Sequence, residues 1–365
     1  MADGAGAPVE LLQELFQAAA VVGDVELLLG WTPTTIEGLD FSVFGSVRTL
    51  MGGYQLRAAI DAGEVRYLPT RLGATPALLQ GPLRPDVLVA SVSVSPDGYK
   101  FLTEVSWLRA TVDAGAVVVA LERPAVPALD AGPALPPEPL VMLGSSPRPA
   151  VEVVWGEPHA DHEKLARHVA PLVPTGARIQ YAPGSVGTAV LDALEVPVHV
   201  DTGMITDAVV NLDRRKLLLG RPLAPYLSGS MELYEWSVGR VEVDRIERTH
   251  DPSRLVDGPP LVAVNTALEV DLDGQVNVES VGGSAVAGIG GQPDYASAAS
   301  RSVLGLSIVA LPTSHGRHGT LVERLSAPAS TLSHDVDVIA TERGVADLRG
   351  LDRAERRRAI AALWE

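Results

Sequence analysis

Cysteine is absent from all 365 residues, which removes disulfides, thiolate zinc sites and a cysteine nucleophile from consideration. Basic residues are too few to balance the acidic ones. There are 29 Lys and Arg against 45 Asp and Glu, giving a formal net charge of −16 and a pI near 4.9. Such a chain repels phosphate backbones and anionic lipid, so neither nucleic acid nor a membrane surface is an expected partner. Long apolar runs are missing too: Val87–Val94 and Ala114–Leu121 fall well short of the roughly 20 residues of a membrane span. The opening "MADGAGAPVELLQELFQ" carries acidic residues and has no basic start before an unbroken apolar stretch. It does not read as a secretory signal, and the cytoplasm is the expected compartment.

What the chain does have is 46% hydrophobic residues, enough for two compact domains of ordinary size. Short Val/Ile/Leu runs recur between Gly/Pro punctuation: "DVLVASVSV" from Asp86, "AVVVALE" from Ala116, "ARIQYA" from Ala177, "PLVAVNTALEVDL" from Pro260, "LSIVALP" from Leu306 and "DVDVIATE" from Asp335. Apolar strands without strict alternation belong to a sheet covered on both faces. Helix-like segments lie between them, from Ser106, from Ala160 and at the C-terminus, so the fold class is α/β with largely parallel sheets. The proline-rich passage from Glu122 to Leu140 lacks the amide donors of a helix or central strand. It marks the boundary between an N-terminal domain over 1–145 and a C-terminal domain over 159–365.

Glycine is densest in "VGGSAVAGIGGQPDY". Gly288, Gly290 and Gly291 would let backbone amides approach a ligand and form an anion or oxyanion nest. A dinucleotide fingerprint does not fit, because Pro293 stands where the third glycine belongs. A second loop, "YAPGSVG" from Tyr181, leads into a helix expected near Thr188; it reads either as a backbone anion site or as a plain strand-to-helix turn. The pairs His159/His162 and His315/His318 supply two ligands each and no telling third, so they read as surface histidines and no metal is expected. No serine-hydrolase elbow occurs.

Together these segments resemble the acetyl-CoA hydrolase/transferase family, which includes 4-hydroxybutyrate and acetate CoA-transferases. "VNTALEVDLDGQVNVESVGG" (Val264–Gly283), "GIGGQPDYASAASRSVLGLSIVALP" (Gly288–Pro312) and "SHDVDVIATERGVADLRGLDRAERRRAI" (Ser333–Ile360) carry the resemblance. "LRAAIDAGEVRYLPTRLGATP" from Leu56 and "RPDVLVASVSVSPDGYKFL" from Arg84 extend it less distinctively. The resemblance implies two CoA-transferase-type (NagB/RpiA-like) α/β domains, an acyl-CoA and a carboxylic acid bound in the cleft between them, and usually a homo-oligomer such as a dimer. It also implies coenzyme A contacts from Gly184, Ser185, Gly288, Gly290, Gly291, Gln292 and Asn265.

In that family a glutamate attacks the thioester, giving an acyl-glutamyl anhydride and then a glutamyl-CoA thioester, while backbone amides hold the oxyanion. Two alignments of "PVHVDTGMITDAVVNL" (Pro197–Leu212) compete. Without a gap, Gly203 falls where the glutamate belongs, and the nucleophile is missing. With two residues inserted before Met204, His199 matches the family histidine and Asp201 replaces the glutamate, shorter by one methylene or roughly 1.5 Å of reach. Asp201 is thus the candidate nucleophile or base, with Glu269 a weaker candidate carboxylate in its "EVD" turn. Leu306 stands where the family commonly has a lysine.

Overall fold

The computed structural model describes residues 1–34 and 40–365. Each apolar run becomes a strand: Val87–Ser95, Val117–Glu122, Arg178–Tyr181, Leu261–Asn265, Leu306–Ala310 and Val338–Thr341. The run from Pro260 is divided, because the chain leaves the sheet after Asn265 and pairs again only at Glu269–Asp271.

The C-terminal half is built on a six-stranded sheet in the order Gly344–Asp347, Val338–Thr341, Leu306–Ala310, Leu261–Asn265, Arg178–Tyr181, His199–Val200. It is parallel except at Gly344–Asp347. Its four central strands are buried at every position, as the lack of polar alternation predicts. Successive side chains of Leu261–Asn265 point to opposite faces. Val262 and Val264 join a core with Leu165, Val169 and Val190, whereas Leu261 and Ala263 pack on Tyr295, Ala298 and Ala299. Helices Ala160–Val169 and Gln292–Ala299 therefore cover opposite sides. The C-terminal helix Arg353–Ala362 begins with an Asp352/Glu355 capping box and docks Ile360 and Leu363 into a smaller core with Val270, Ile339 and Leu348.

The N-terminal half holds a three-stranded parallel sheet, Glu26–Leu29, Ser46–Thr49, Arg66–Tyr67. Beside it runs a four-stranded sheet in the order Gly98–Lys100, Val87–Ser95, Val117–Glu122, Leu140–Ser145, antiparallel only at its first pair. The first seven residues are buried and stitch the two sheets together: Met1 N donates to Leu28 O and Ala2 N to Val89 O, each at 2.8 Å. The buried Arg123 clamps this segment, donating to Ala7 O at 3.0 Å, Pro149 O at 3.0 Å and Glu10 Oε2 at 2.5 Å. Among the described residues no helix is long and apolar enough to cross a membrane.

Beneath the same segment lies Glu104, 2% exposed, whose Oε2 accepts from Gly6 N at 3.1 Å and Thr103 Oγ1 at 2.6 Å. Burial, with Asp3 nearby, pushes its carboxyl up to about 8, against the pull of those bonds and of Arg123. A carboxyl raised on folding gives stability that is full below its unfolded value, here 4.5, and is lost as pH rises through the folded one. Urea unfolding is therefore expected to show stability declining between pH 4.5 and about 8, with Glu104→Gln flattening the decline. An unchanged slope in the variant would remove Glu104 as its source.

Candidate functional site

Three neighbouring strands of the six-stranded sheet, Leu261–Asn265, Arg178–Tyr181 and His199–Val200, end on one side, and the residues that follow them wall a cavity of about 360 Å³. Ligands in open α/β sheets sit at such carboxyl ends. From these ends come Ala182 and Pro183, Gly203 and Met204, and Asn265 to Leu268. The opposite wall is the N-terminal half, including Asp3, Trp31, Leu50, Met51 and Trp107, and the glycine loop Gly288 to Gln292 closes the side.

Three amides stand together among the cavity's polar groups. Gln180 Nε2 donates to Asn265 Oδ1 at 3.1 Å, and both side chains are buried. Gln180 Oε1, Asn265 Nδ2 and Gln292 Nε2 are buried without a hydrogen-bond partner, and all three residues line the cavity. Each such orphan costs about 1–3 kcal/mol; a ligand carbonyl would relieve the two nitrogen donors, and a ligand donor the Gln180 oxygen. Asn265 and Gln292 were expected from sequence. Gln180 was not, although a glutamine at the end of the strand run "ARIQYA", just before the glycine-containing loop, is a signal that could have found it.

The expected backbone donors are divided. Gly288, Gly290 and Gly291 line the cavity, and each also has a reason to be glycine, close packing at the first and last and backbone conformation at Gly290. A Cβ on Gly288 would lie 2.6 Å from Met51 Sδ, and one on Gly291 2.3 Å from His250 Nε2; Gly290 has φ +60°. Gly290 O accepts from Leu72 N at 2.8 Å and Ile289 N donates to Tyr67 Oη at 3.0 Å, so part of this loop is tied to the N-terminal half. Gly184 and Ser185 lie off the cavity wall, which stops at Pro183. Ser185 Oγ donates instead to Gly156 O at 2.8 Å, and the helix begins at Ser185 rather than near Thr188.

The two alternatives for the catalytic position fall in different surroundings. Asp201, 5% exposed, is not on the cavity wall. Its carboxylate accepts from Arg254 Nη1 at 2.6 Å and Nη2 at 2.9 Å, with Arg178 Nη1 at 3.5 Å. Gly203 is on the wall, and a Cβ built there meets nothing closer than Tyr295 Cε2 at 3.8 Å. Glu269 is tied to its hairpin partner and to a loop remote in sequence, its Oε2 accepting from Asn277 Nδ2, Ser326 N and Ser326 Oγ, each at 2.9 Å. Leu306 is a core residue of the central sheet.

His162 is not a surface histidine. It is buried, its ring accepts from His159 N, 3.4 Å away, in the capping box of helix Ala160–Val169, and the two rings lie 3.6 Å apart. His159, His315 and His318 are exposed, and His315 reaches the cavity wall. Among the described residues no three His, Asp or Glu side chains are grouped to hold a metal. A buried His250 packs edge-on against Tyr295 at 4.9 Å; burial and Arg254 hold it down to about 3, so it is neutral.

Residues 229–363 match the family model for the acetyl-CoA hydrolase/transferase C-terminal domain. The chain is 26% identical to the 4-hydroxybutyrate coenzyme A transferase of Clostridium kluyveri, over 98% of this chain and 89% of that one. It is also 26% identical to the succinyl-CoA:acetate/propanoyl-CoA:succinate CoA transferase of Fasciola hepatica, over 98% and 80%. Among solved structures, RipA from Yersinia pestis superposes with a TM-score of 0.89 at 22% identity, covering 99% of this chain and 89% of RipA. The 4-hydroxybutyrate CoA-transferase of Porphyromonas gingivalis superposes at 0.72 and 22% identity, covering 97% and 96%. These two likenesses bear on the fold. The sequence matches make this chain a distant homologue of the CoA-transferases and acetyl-CoA hydrolases, with residues 229–363 matching the C-terminal domain of the acetyl-CoA hydrolase/transferase family.

Proposed function

We propose that this chain binds an acyl-CoA with its thioester in the cavity, taken by Asn265 and Gln292. The observation that carries this reading is the set of unpartnered buried amide atoms on the cavity wall. Asn265 Nδ2 and Gln292 Nε2 are donors for a carbonyl oxygen or for the oxyanion that replaces it, held in place before reaction as such donors must be. Homology with CoA-transferases supplies coenzyme A, carried as the acyl-CoA substrate, and a carboxylic acid as second ligand. It also suggests the chemistry, transfer of CoA between acids or hydrolysis of the thioester; a homo-oligomer in the cytoplasm is the setting this reading takes. The reading calls for no metal.

A second reading, a ligand-binding or assembly protein without covalent turnover, is favoured by two placements. Asp201 is held by two arginines off the cavity wall, and Gly203, which takes the family glutamate's position in the gapless alignment, brings no nucleophile to it.

Calorimetric titration with CoA and acetyl-CoA, followed by intact-mass and turnover measurements with acetyl-, butyryl- and succinyl-CoA plus acetate, separates these. Both ligands are expected to bind. Asn265→Leu or Gln292→Leu is expected to weaken acetyl-CoA about tenfold and to leave free CoA unchanged. No binding of either ligand would overturn the acyl-CoA reading. An acyl or CoA adduct on Asp201 would overturn the second reading, and binding without adduct or turnover would support it.

A further inference from the structure

Aromatic residues make up only 4% of the chain, yet they crowd this cavity. Three of the five tryptophans, Trp31, Trp107 and Trp155, line it together with Tyr54, Tyr226 and Tyr295. Trp31 and Trp155 stack with centroids 6.0 Å apart and planes 19° apart, and Tyr54 meets Trp31 edge-on at 6.3 Å. Amid these rings stands one carboxylate, Asp3, 3% exposed. Its Oδ2 is saturated, accepting from Trp107 Nε1 at 3.0 Å, Trp31 N at 3.2 Å and Tyr226 Oη at 2.9 Å. Its Oδ1 has no partner. Burial raises the Asp3 carboxyl to about 6, so at neutral pH Oδ1 is a buried acceptor without a hydrogen-bond partner from any other described residue.

We propose that the acyl pocket takes a ring-bearing acyl group, aromatic or cyclic, that carries a hydrogen-bond donor such as a hydroxyl for Asp3 Oδ1. This rests on the acyl-CoA reading above and names its substrate class. Flat faces and edges reward a ring beyond the area it buries, and a site with an unpaired buried acceptor discriminates against an acyl group that lacks the donor. About 150 Å³ is room enough for benzene, so the cavity accommodates a ring together with a thioester. A short aliphatic acyl group would leave the rings unfilled and Asp3 unpaired. Asparagine at position 3 can keep its oxygen on the three donors and turn its amide toward the cavity, which replaces the acceptor by a donor.

Calorimetry on the full chain at pH 7.5 tests this with CoA, acetyl-CoA, phenylacetyl-CoA and 3- and 4-hydroxyphenylacetyl-CoA, and with the free acids. Phenylacetyl-CoA is expected to bind about tenfold tighter than acetyl-CoA. The better hydroxylated thioester is expected to gain about another tenfold, and Asp3→Asn to abolish that second gain alone. The ranking on the natural protein decides the matter even where the variant fails to fold. If CoA binds but the ring brings no gain, the ring pocket is overturned and the acyl-CoA reading stands. CoA binding as tightly as every thioester would assign the rings to adenine and also overturn the proposal. If no thioester binds while the free acids keep the expected ranking, the CoA reading fails and the ring pocket stands. If nothing binds, both fail.

Discussion

Gly203→Glu is expected to place a working nucleophile on the cavity wall. After incubation with acetyl-CoA, intact-mass analysis should find an adduct confined to the new glutamate, and CoA transfer to a second carboxylate should rise at least about a hundredfold, roughly 3 kcal/mol of barrier. Residue 203 faces the cavity, its backbone lies outside the left-handed region, and the first neighbour of a Cβ is at ordinary van der Waals distance. A carboxylate carried there reaches the same space as the unpartnered amides of Asn265 and Gln292. Glutamate oxygen would attack the thioester carbonyl, the oxyanion would take the amide donors, and CoA thiolate would leave and then return to the glutamyl carbonyl as the acyl carboxylate departs. A Gly203→Glu protein that binds acetyl-CoA as the natural chain does and yet forms no adduct would falsify the assignment of this position.

Asp201→Ala is expected to lower the free energy of unfolding by about 3–5 kcal/mol, because removing one member of a buried ion pair strands the other. Two arginines would be stranded. Arg254 loses both of its bonds to the carboxylate, and Arg178, which otherwise donates to the carbonyls of Pro259, Arg254, Leu255 and Asp257, loses its counter-charge. The loss should be read as a fall in the urea midpoint at constant slope, with CoA affinity unchanged in the folded variant. Adding Arg254→Met should recover part of the loss, since a pair replaced by apolar groups costs less than a pair half removed. A loss under about 1 kcal/mol together with lost CoA binding would return Asp201 to the site.

The central sheets were legible because a strand covered on both sides has no polar alternation to hide; "LVAVN" and "LSIVA" are buried at every position. That the glycine loop, Asn265 and Gln292 would share one wall was legible through the ordered motifs around them. Asp201 was legible as a carboxylate but not in its role, since its partners lie 53 and 23 residues away in the chain and no local pattern announces an ion pair. The opening "MADGAGA" reads as small residues without period, yet it runs through the interior. Glycines at 4 and 6 leave room for Glu104 there, whose carboxylate would lie within 2.7 Å of a Cβ on either. Asp3 and the tryptophans gather from places remote in sequence, and only the fold brings them to one wall.

The stacked Trp31–Trp155 pair gives the molecule an optical handle on its own cavity. Two indoles at 6.0 Å and 19° are close enough for their excited states to couple, and a ligand ring entering beside them would alter that coupling and the emission of Trp107. Occupancy is thereby written into the protein's ultraviolet spectrum, and filling of the cavity can be followed in time without attaching a dye.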